Sequence, residues 1–205
     1  MSDERADLLC TLLGDCIKYF SDNIYPFPYK KYTLVETNWS GNTSIGNASL
    51  VFSSSLESFV PFHELIHTWV GYIVKPDFNS TKRFLFSESL NEYLTMQFMR
   101  RVKGKKLYDQ EIQRYMKLYK KSISKNHDKS ILDVKEYKFS THSIIMYKEV
   151  YLLDKLARKV GYDTLNNCIY SFLRSKVNKV AHTKEFLDYL EKNIGEEATK
   201  YRKMI

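Results

Sequence analysis

The sequence predicts an α+β fold, predominantly helical, with a small β-sheet near its start. Seven Gly and four Pro among 205 residues make about 5% where ~12% is usual, too few for a turn-dense all-β sandwich or a low-complexity linker. Apolar residues return every three or four positions over most of the chain, the period of helices that bury one face. Alternation of branched and polar residues, the mark of strands, is confined to residues 32–53. With 43% hydrophobic and 15% aromatic residues the chain is not disordered. Its 205 residues suffice for one compact unit with a real core.

Leu8, Leu9, Leu12, Leu13, Cys16, Ile17 and Phe20 line one face of a first helix, which Pro26 and Pro28 end. Residues 32–38 and 50–53 read as strands of a small antiparallel sheet edge, with Gly41, Asn42, Gly46 and Asn47 supplying turns. From Leu56 the pattern is helical, with breaks at 76–81, Gly104, 126–138, Gly161, 178–182 and Gly195. Asp163 and Thr183 stand where N-caps belong, and Gly195 where a helix stops. No internal repeat or dividing linker is present.

The 32 Lys and Arg against 24 Asp and Glu give +8, spread too evenly to mark a nucleic-acid groove, so no nucleic-acid partner is expected. The densest basic stretch, 100–129, interleaves with Tyr108, Tyr115, Met116 and Tyr119 and reads as an amphipathic helix with a solvated face. Cys10, Cys16 and Cys168 are odd in number and lack metal spacing, which predicts reduced core thiols in a reducing compartment. Asp3, Glu4, Arg5 and Asp7 do not make the basic start of a secretory leader. The longest apolar region, 59–74, is broken by His63, Glu64 and His67, short of the ~18 residues a membrane span needs. A soluble, cytoplasmic protein is expected; the sequence is silent on oligomeric state.

His63-Glu64-Leu65-Ile66-His67 is the informative stretch. On a helix, residues four apart share a face, so two imidazoles aim at one metal with Glu64 beside them. A catalytic zinc takes three protein ligands and keeps one position for water, so a third donor must come from elsewhere. Glu88 and Glu92 are the candidates: four apart at the start of another helix, they face the same side. Glu88 is assigned as the ligand and Glu92 as the carboxylate that receives a histidine's second ring N–H, fixing its tautomer.

Beyond these five residues the chain resembles the gluzincin zinc metallopeptidases, specifically the catalytic domain of the alanyl aminopeptidase and leukotriene-A4 hydrolase family. His67-Thr68-Trp69-Val70-Gly71 fits the family's H-x-W-x-G continuation, and Ser87-Glu88-Ser89 followed by Tyr93 fits its N-E-G segment with a downstream Tyr. Tyr25-Pro26-Phe27-Pro28 leading into Tyr32-Thr33-Leu34-Val35 is similar to its Y-P-F-P-K entry to a strand, and the helical second half resembles the family's from Lys148 to Ile194. The resemblance covers residues 8–205 and implies a thermolysin-like fold, a small edge-exposed sheet over a helical lower half. It implies a single catalytic domain over 1–205, with the sheet in about 25–56, zinc helices in about 57–102 and the helical second half in about 105–205. It further implies one Zn²⁺ per chain and a peptide substrate, and leaves the family's separate N-terminal β domain and C-terminal helical domain outside the chain.

Three departures qualify the match. Twenty residues separate His67 from Glu88, against eighteen or nineteen in the family, an insertion placed near 76–82. Gly46, beside Asn47 in the expected substrate-binding edge strand, stands where family aminopeptidases carry a Glu for the substrate's amino terminus, so aminopeptidase specificity is doubtful. The oxyanion-stabilising Tyr of the family falls strictly on Met146; Tyr147 serves if a bulge shifts the helix by one residue, and Tyr151 and His142 are alternatives. The expected function is zinc-dependent peptide-bond hydrolysis with Glu64 as general base. The alternative is a catalytically impaired peptide-binding or scaffolding module on the same fold.

Overall fold

The computed structural model describes residues 2–38, 44–47, 49–54, 56, 59–123 and 128–205, with backbone alone for 44–47 and 139. Helix α1 (Asp3–Asn23) buries Leu9, Leu13, Cys16 and Phe20 on the expected spacing, while Leu8, read as part of that face, is 56% exposed. The segment after α1 is pinned to the centre of the molecule. Trp69 Nε1 donates to the Tyr25 carbonyl at 2.7 Å, and the Phe27 ring packs on Trp69 with centroids 5.8 Å apart.

Strands β1 (Thr33–Glu36), β2 (Ser44–Asn47) and β3 (Leu50–Ser53) form a sheet in the order β1–β3–β2. β2 is antiparallel to β3, with Gly46 opposite Val51, but β1 is parallel to β3, with Leu34 opposite Val51. The predicted antiparallel sheet is therefore mixed. Thirteen residues lie between Glu36 and Leu50, enough to carry the chain to the far side of β3 and back, the length of connection a parallel pair requires. Gly46 and Asn47, read as turn formers, lie within β2, where pairing with β3 overrides their turn preference. The turns expected at Gly41 and Asn42 fall outside the described residues.

Helix α2 (Val60–Ile66), with Pro61 in its first turn, packs against α1, β2 and β3. β4 (Lys75–Pro76) pairs with β5 (Val180–Ala181), two strands too short to leave a period in the sequence. A π-helical turn, Leu85–Ser89, runs into α3 (Leu90–Lys103), which ends at Gly104 with φ 87°. Then come α4 (Lys105–Ile123), a 3₁₀ turn (Ile131–Asp133), α5 (Phe139–His142) and a second π-helical turn, Ser143–Lys148. Helices α6 (Glu149–Val160), α7 (Tyr162–Ser175), α8 (Thr183–Ile194) and α9 (Glu196–Met204) complete the chain.

Gly195 ends α8 as predicted, but both N-cap assignments move. Asp163 lies in the first turn of α7 behind a Gly161 cap. Thr183 is the first residue of α8 behind His182, and its hydroxyl donates to the Lys82 carbonyl at 2.7 Å. The stretch read as a solvated basic face is half core: α4 turns Tyr108, Ile112 and Tyr115 inward. One cluster of buried residues joins α1, α2, α3, α6, α7 and α8, with Trp69, Tyr93, Phe98 and Phe172 among its largest members. Cys16 is buried and Cys168 half-buried, but Cys10 is exposed, which corrects its reading as a core thiol; all three are free. Among the described residues no helix is long and apolar enough to cross a membrane.

Candidate metal centre

His63 lies within α2 and His67 at its C-cap, still in right-handed helical backbone, so the two rings stand one turn apart. The chain past His67 tightens, with Thr68 N–H reaching Leu65 O and Trp69 N–H reaching Ile66 O. Gly71 permits this close approach: at φ 153° a Cβ there would lie 2.8 Å from the His67 carbonyl oxygen. A glycine is thus required one turn beyond the second histidine.

Each ring is oriented through its Nδ1. His63 Nδ1 lies 2.7 Å from Glu92 Oε2, and His67 Nδ1 lies 3.1 Å from the Val70 carbonyl. A carbonyl only accepts, and Glu92 is an ionised carboxylate, so both Nδ1 atoms carry a proton and each ring turns its Nε2 toward the other and toward Glu88. Glu92 is held from its other oxygen by the Tyr115 hydroxyl. Asn91, on the same turn of α3, donates to the His63 carbonyl at 2.8 Å and locks α3 to α2.

Glu88, carried by the first π-helical turn, completes a triangle. His63 Nε2 and His67 Nε2 are 3.1 Å apart, and Glu88 Oε2 lies 3.6 Å from the first and 3.8 Å from the second. These three donors are the one set of metal-ligand atoms found converging among the described residues. A point equidistant from corners set 3.1, 3.6 and 3.8 Å apart lies about 2.0 Å from each, the length of zinc bonds to imidazole and carboxylate, ~2.0–2.2 Å. Two imidazole nitrogens and a carboxylate oxygen that converge on one point and gather positive charge there fit a divalent metal.

The charges agree with this. Burial opposes a charge on His63, but Glu88 and Glu92 outweigh it and push the group up to about 10. Burial and the neighbouring His63 hold His67 below the usual histidine range, so the pair takes up one positive charge between them. Burial works to raise Glu88 and Glu92, yet the histidines hold both carboxyls below the usual range. The site is built for positive charge at its centre.

Two cavities meet at the triangle. The larger, of about 680 Å³, is lined by His63, Glu64, His67, Glu88, Glu92, Glu111, Arg114, Tyr115, Tyr137, His142, Met146 and Tyr147, with Phe59 and Val60. The second, of about 440 Å³, shares Glu64, His67 and Glu88 and continues past Gly71, Tyr72, Lys75, Pro76, Phe78 and Ser87. Glu64 sits at their junction beside the three donors. Both Met146 and Tyr147 reach the larger cavity, and they belong to the second π-helical turn, the kind of register shift that Tyr147 needs. His142 joins them, with Nε2 3.2 Å from the Tyr147 hydroxyl. Tyr151, the other alternative, lines a separate cavity with Asp109, Asp154 and Arg158. Gly46 and Asn47 lie in β2 beside α2. The segment between His67 and Glu88 runs through β4 and a turn at Asp77 and Ser80, which hold none of the three donors.

Tyr115, Tyr137, Arg114 and Glu111 were not assigned to the site from the sequence. Tyr115 keeps helical spacing with Tyr108 and Ile112, a pattern that reports burial without saying what lies opposite.

Residues 12–204 match the model of the peptidase family M1 domain. No curated protein matches the sequence. Among solved structures, the M1 zinc metallopeptidase from Deinococcus radiodurans superposes with TM-score 0.75 at 15% identity, covering 100% of this chain and 44% of that one. A variant of a two-domain M1 zinc metallopeptidase bound to L-tryptophan superposes with TM-score 0.76 at 16% identity, covering 93% and 42%. Leukotriene A4 hydrolase from Saccharomyces cerevisiae does so with TM-score 0.75 at 17% identity, covering 94% and 33%. The chain therefore spans less than half the length of each. The family match over nearly all of its residues identifies the chain as a member of peptidase family M1.

Proposed function

We propose that this chain is a zinc-dependent peptidase domain that hydrolyses peptide bonds, with His63, His67 and Glu88 as the metal ligands, one zinc per chain and Glu64 as general base. The single observation that carries it is the triangle of Nε2, Nε2 and carboxylate oxygen with edges of 3.1–3.8 Å, with Glu64 beside it at the junction of two cavities. Zinc at such a site supplies Lewis acidity to the scissile carbonyl and makes water a nucleophile near neutral pH.

The chain's own groups do the rest. Glu64 takes the proton of the attacking water and passes it to the leaving amine nitrogen. Tyr147 donates its hydroxyl hydrogen to the oxygen on which charge develops. Glu92, bonded to His63 Nδ1 and held by Tyr115, keeps the first imidazole in its metal-facing tautomer. Peptide lies along the edge strand β2, past Gly46 and Asn47, and without a carboxylate at Gly46 the domain does not select a free amino terminus. One catalytic domain spans the chain, and the three free thiols support a reducing, cytoplasmic setting. No nucleic-acid partner is part of this reading.

A scaffold that only binds peptide has no use for Glu64 between the two cavities, so hydrolysis is favoured over the impaired module. The test is metal analysis of the purified chain followed by a panel of fluorogenic peptides with a chelator control. Glu64→Gln is expected to keep its zinc and lose at least about 1,000-fold in kcat. A zinc-loaded parent that cleaves nothing in the panel, or a Glu64→Gln variant that cleaves as well as the parent, overturns the reading.

A further inference from the structure

Three side chains on one wall of the larger cavity form a hydrogen-bonded row. The Tyr137 hydroxyl lies 2.7 Å from His142 Nδ1, and His142 Nε2 lies 3.2 Å from the Tyr147 hydroxyl. The rings meet edge-on, with interplanar angles of 78° and 84°. Tyr147 is steadied from behind by the Tyr115 ring, 4.9 Å between centroids. All belong to the cavity that holds the metal triangle and Glu64.

The row has a direction. Burial keeps His142 below the usual histidine range, so at neutral pH its ring is uncharged, with one N–H and one lone pair. It donates in only one of its two hydrogen bonds. The 2.7 Å contact has the length of an O–H donor bond and the 3.2 Å contact that of a long N–H donor bond. These lengths favour Tyr137 donating its O–H to Nδ1, with Nε2–H directed at the oxygen of Tyr147. Burial and the carboxylates of Glu88, Glu92 and Glu64 hold the Tyr137 proton in place, as this polarity requires. With its oxygen already accepting, Tyr147 keeps its own O–H for something else, and accepting one bond strengthens it as a donor.

We infer that Tyr137 and His142 are positioning residues that set the imidazole tautomer and so fix Tyr147 as a hydrogen-bond donor into the cleft. This deepens the proposed hydrolysis and rests on it. In the opposite polarity Tyr147 would spend its proton on Nε2 and present lone pairs to a developing oxyanion, the wrong sign for stabilisation.

The test begins with NMR of the histidine ring nitrogens in the zinc-loaded chain, with His142 assigned by the signal lost in His142→Gln. The expected result is a neutral ring protonated on Nε2, and a mixture of tautomers in Tyr137→Phe. On a peptide the parent cleaves, Tyr137→Phe is expected to lower kcat roughly ten-fold with KM and zinc content unchanged. His142→Leu falls roughly 100-fold, to the level of Tyr147→Phe, and His142→Gln, whose amide N–H replaces Nε2–H, recovers most of that loss. A parent ring protonated on Nδ1, a Tyr137→Phe variant with parental kcat, or a fully active His142→Leu variant overturns the inference. If the zinc-loaded parent cleaves no peptide, the hydrolysis reading fails, and the tautomer still decides the polarity of the row.

Discussion

The two π-helical turns pack against each other, tied by the Ser89 hydroxyl to the Ile145 carbonyl at 2.6 Å, yet the glutamate within the first and the glutamate just after the second are treated in opposite ways. In the first, Glu88 faces two imidazoles and its carboxyl is held below the usual range. Immediately after the second, Glu149 is fully buried, neither carboxylate oxygen has a hydrogen-bond partner among the described residues, and burial pushes the group up to about 8. One carboxyl is kept as an anion ready for a cation, the other as a neutral acid inside the core. The same local irregularity thus serves two ends: the first turn brings Glu88 to the two imidazoles, and the second brings Tyr147 to the larger cavity, held by one long hydrogen bond and a ring contact.

The sharpest way to break this contrast is to exchange the outcomes of the two turns. Glu88→Ala is expected to lose zinc and with it all measurable peptidase activity, whereas Tyr147→Phe keeps parental zinc and loses about 100-fold in kcat. Metal analysis beside steady-state kinetics separates them, and loss of zinc from Tyr147→Phe would dissolve the distinction.

Glu149 provides the next largest effect. Its carboxyl is raised in the fold, so the folded chain binds this proton more tightly than the unfolded one. Stability is then full below the ordinary carboxylate range and falls as pH rises from there towards about 8. Glu149→Gln is expected to flatten that slope and to exceed the parent at pH 8 by roughly 2–4 kcal/mol, read by chemical denaturation at pH 5 and pH 8. A parental pH slope in this variant would place the buried acid's ionisation elsewhere.

The smallest effect tests the tie between the turns. Ser89→Ala removes a buried hydroxyl donor and is expected to cost about 1–2 kcal/mol of stability. Because the tie anchors the second turn, kcat is expected to fall by a few fold while zinc affinity stays parental. A variant whose zinc affinity drops and whose kcat at saturating zinc does not would assign the tie to the first turn instead.

Much of the centre was legible because its signals are local. Two histidines four apart, a glutamate between them, and two more glutamates four apart on a second helix each name a face without reference to anything distant. Gly71 was legible as part of a motif, but its reason, the His67 carbonyl 2.8 Å from where a Cβ would sit, belongs to the folded backbone. The candidate donor was legible only to within one residue, Met146 or Tyr147, since a π-helical turn changes which residues reach the cavity and leaves no mark in hydrophobic periodicity. Tyr115 and Tyr137 come from α4 and from the segment before α5. Apolar spacing predicts that such a ring is covered, and only the packing of α4 on the second π-helical turn decides what covers it.

The sheet divides in the same way. Strand-forming composition was visible at 32–38 and 50–53, but the parallel pairing of β1 with β3 depends on where the intervening thirteen residues travel. By itself the sequence determined a mainly helical chain and named a pair of imidazoles, two carboxylates and Gly46 as site candidates, because each is a matter of residue type at short spacing. Tertiary structure alone decided the edges of the donor triangle, the polarity of the Tyr137–His142–Tyr147 row and the protonated burial of Glu149. Those are set by distances between groups far apart in the chain, and by how completely packing removes each of them from water.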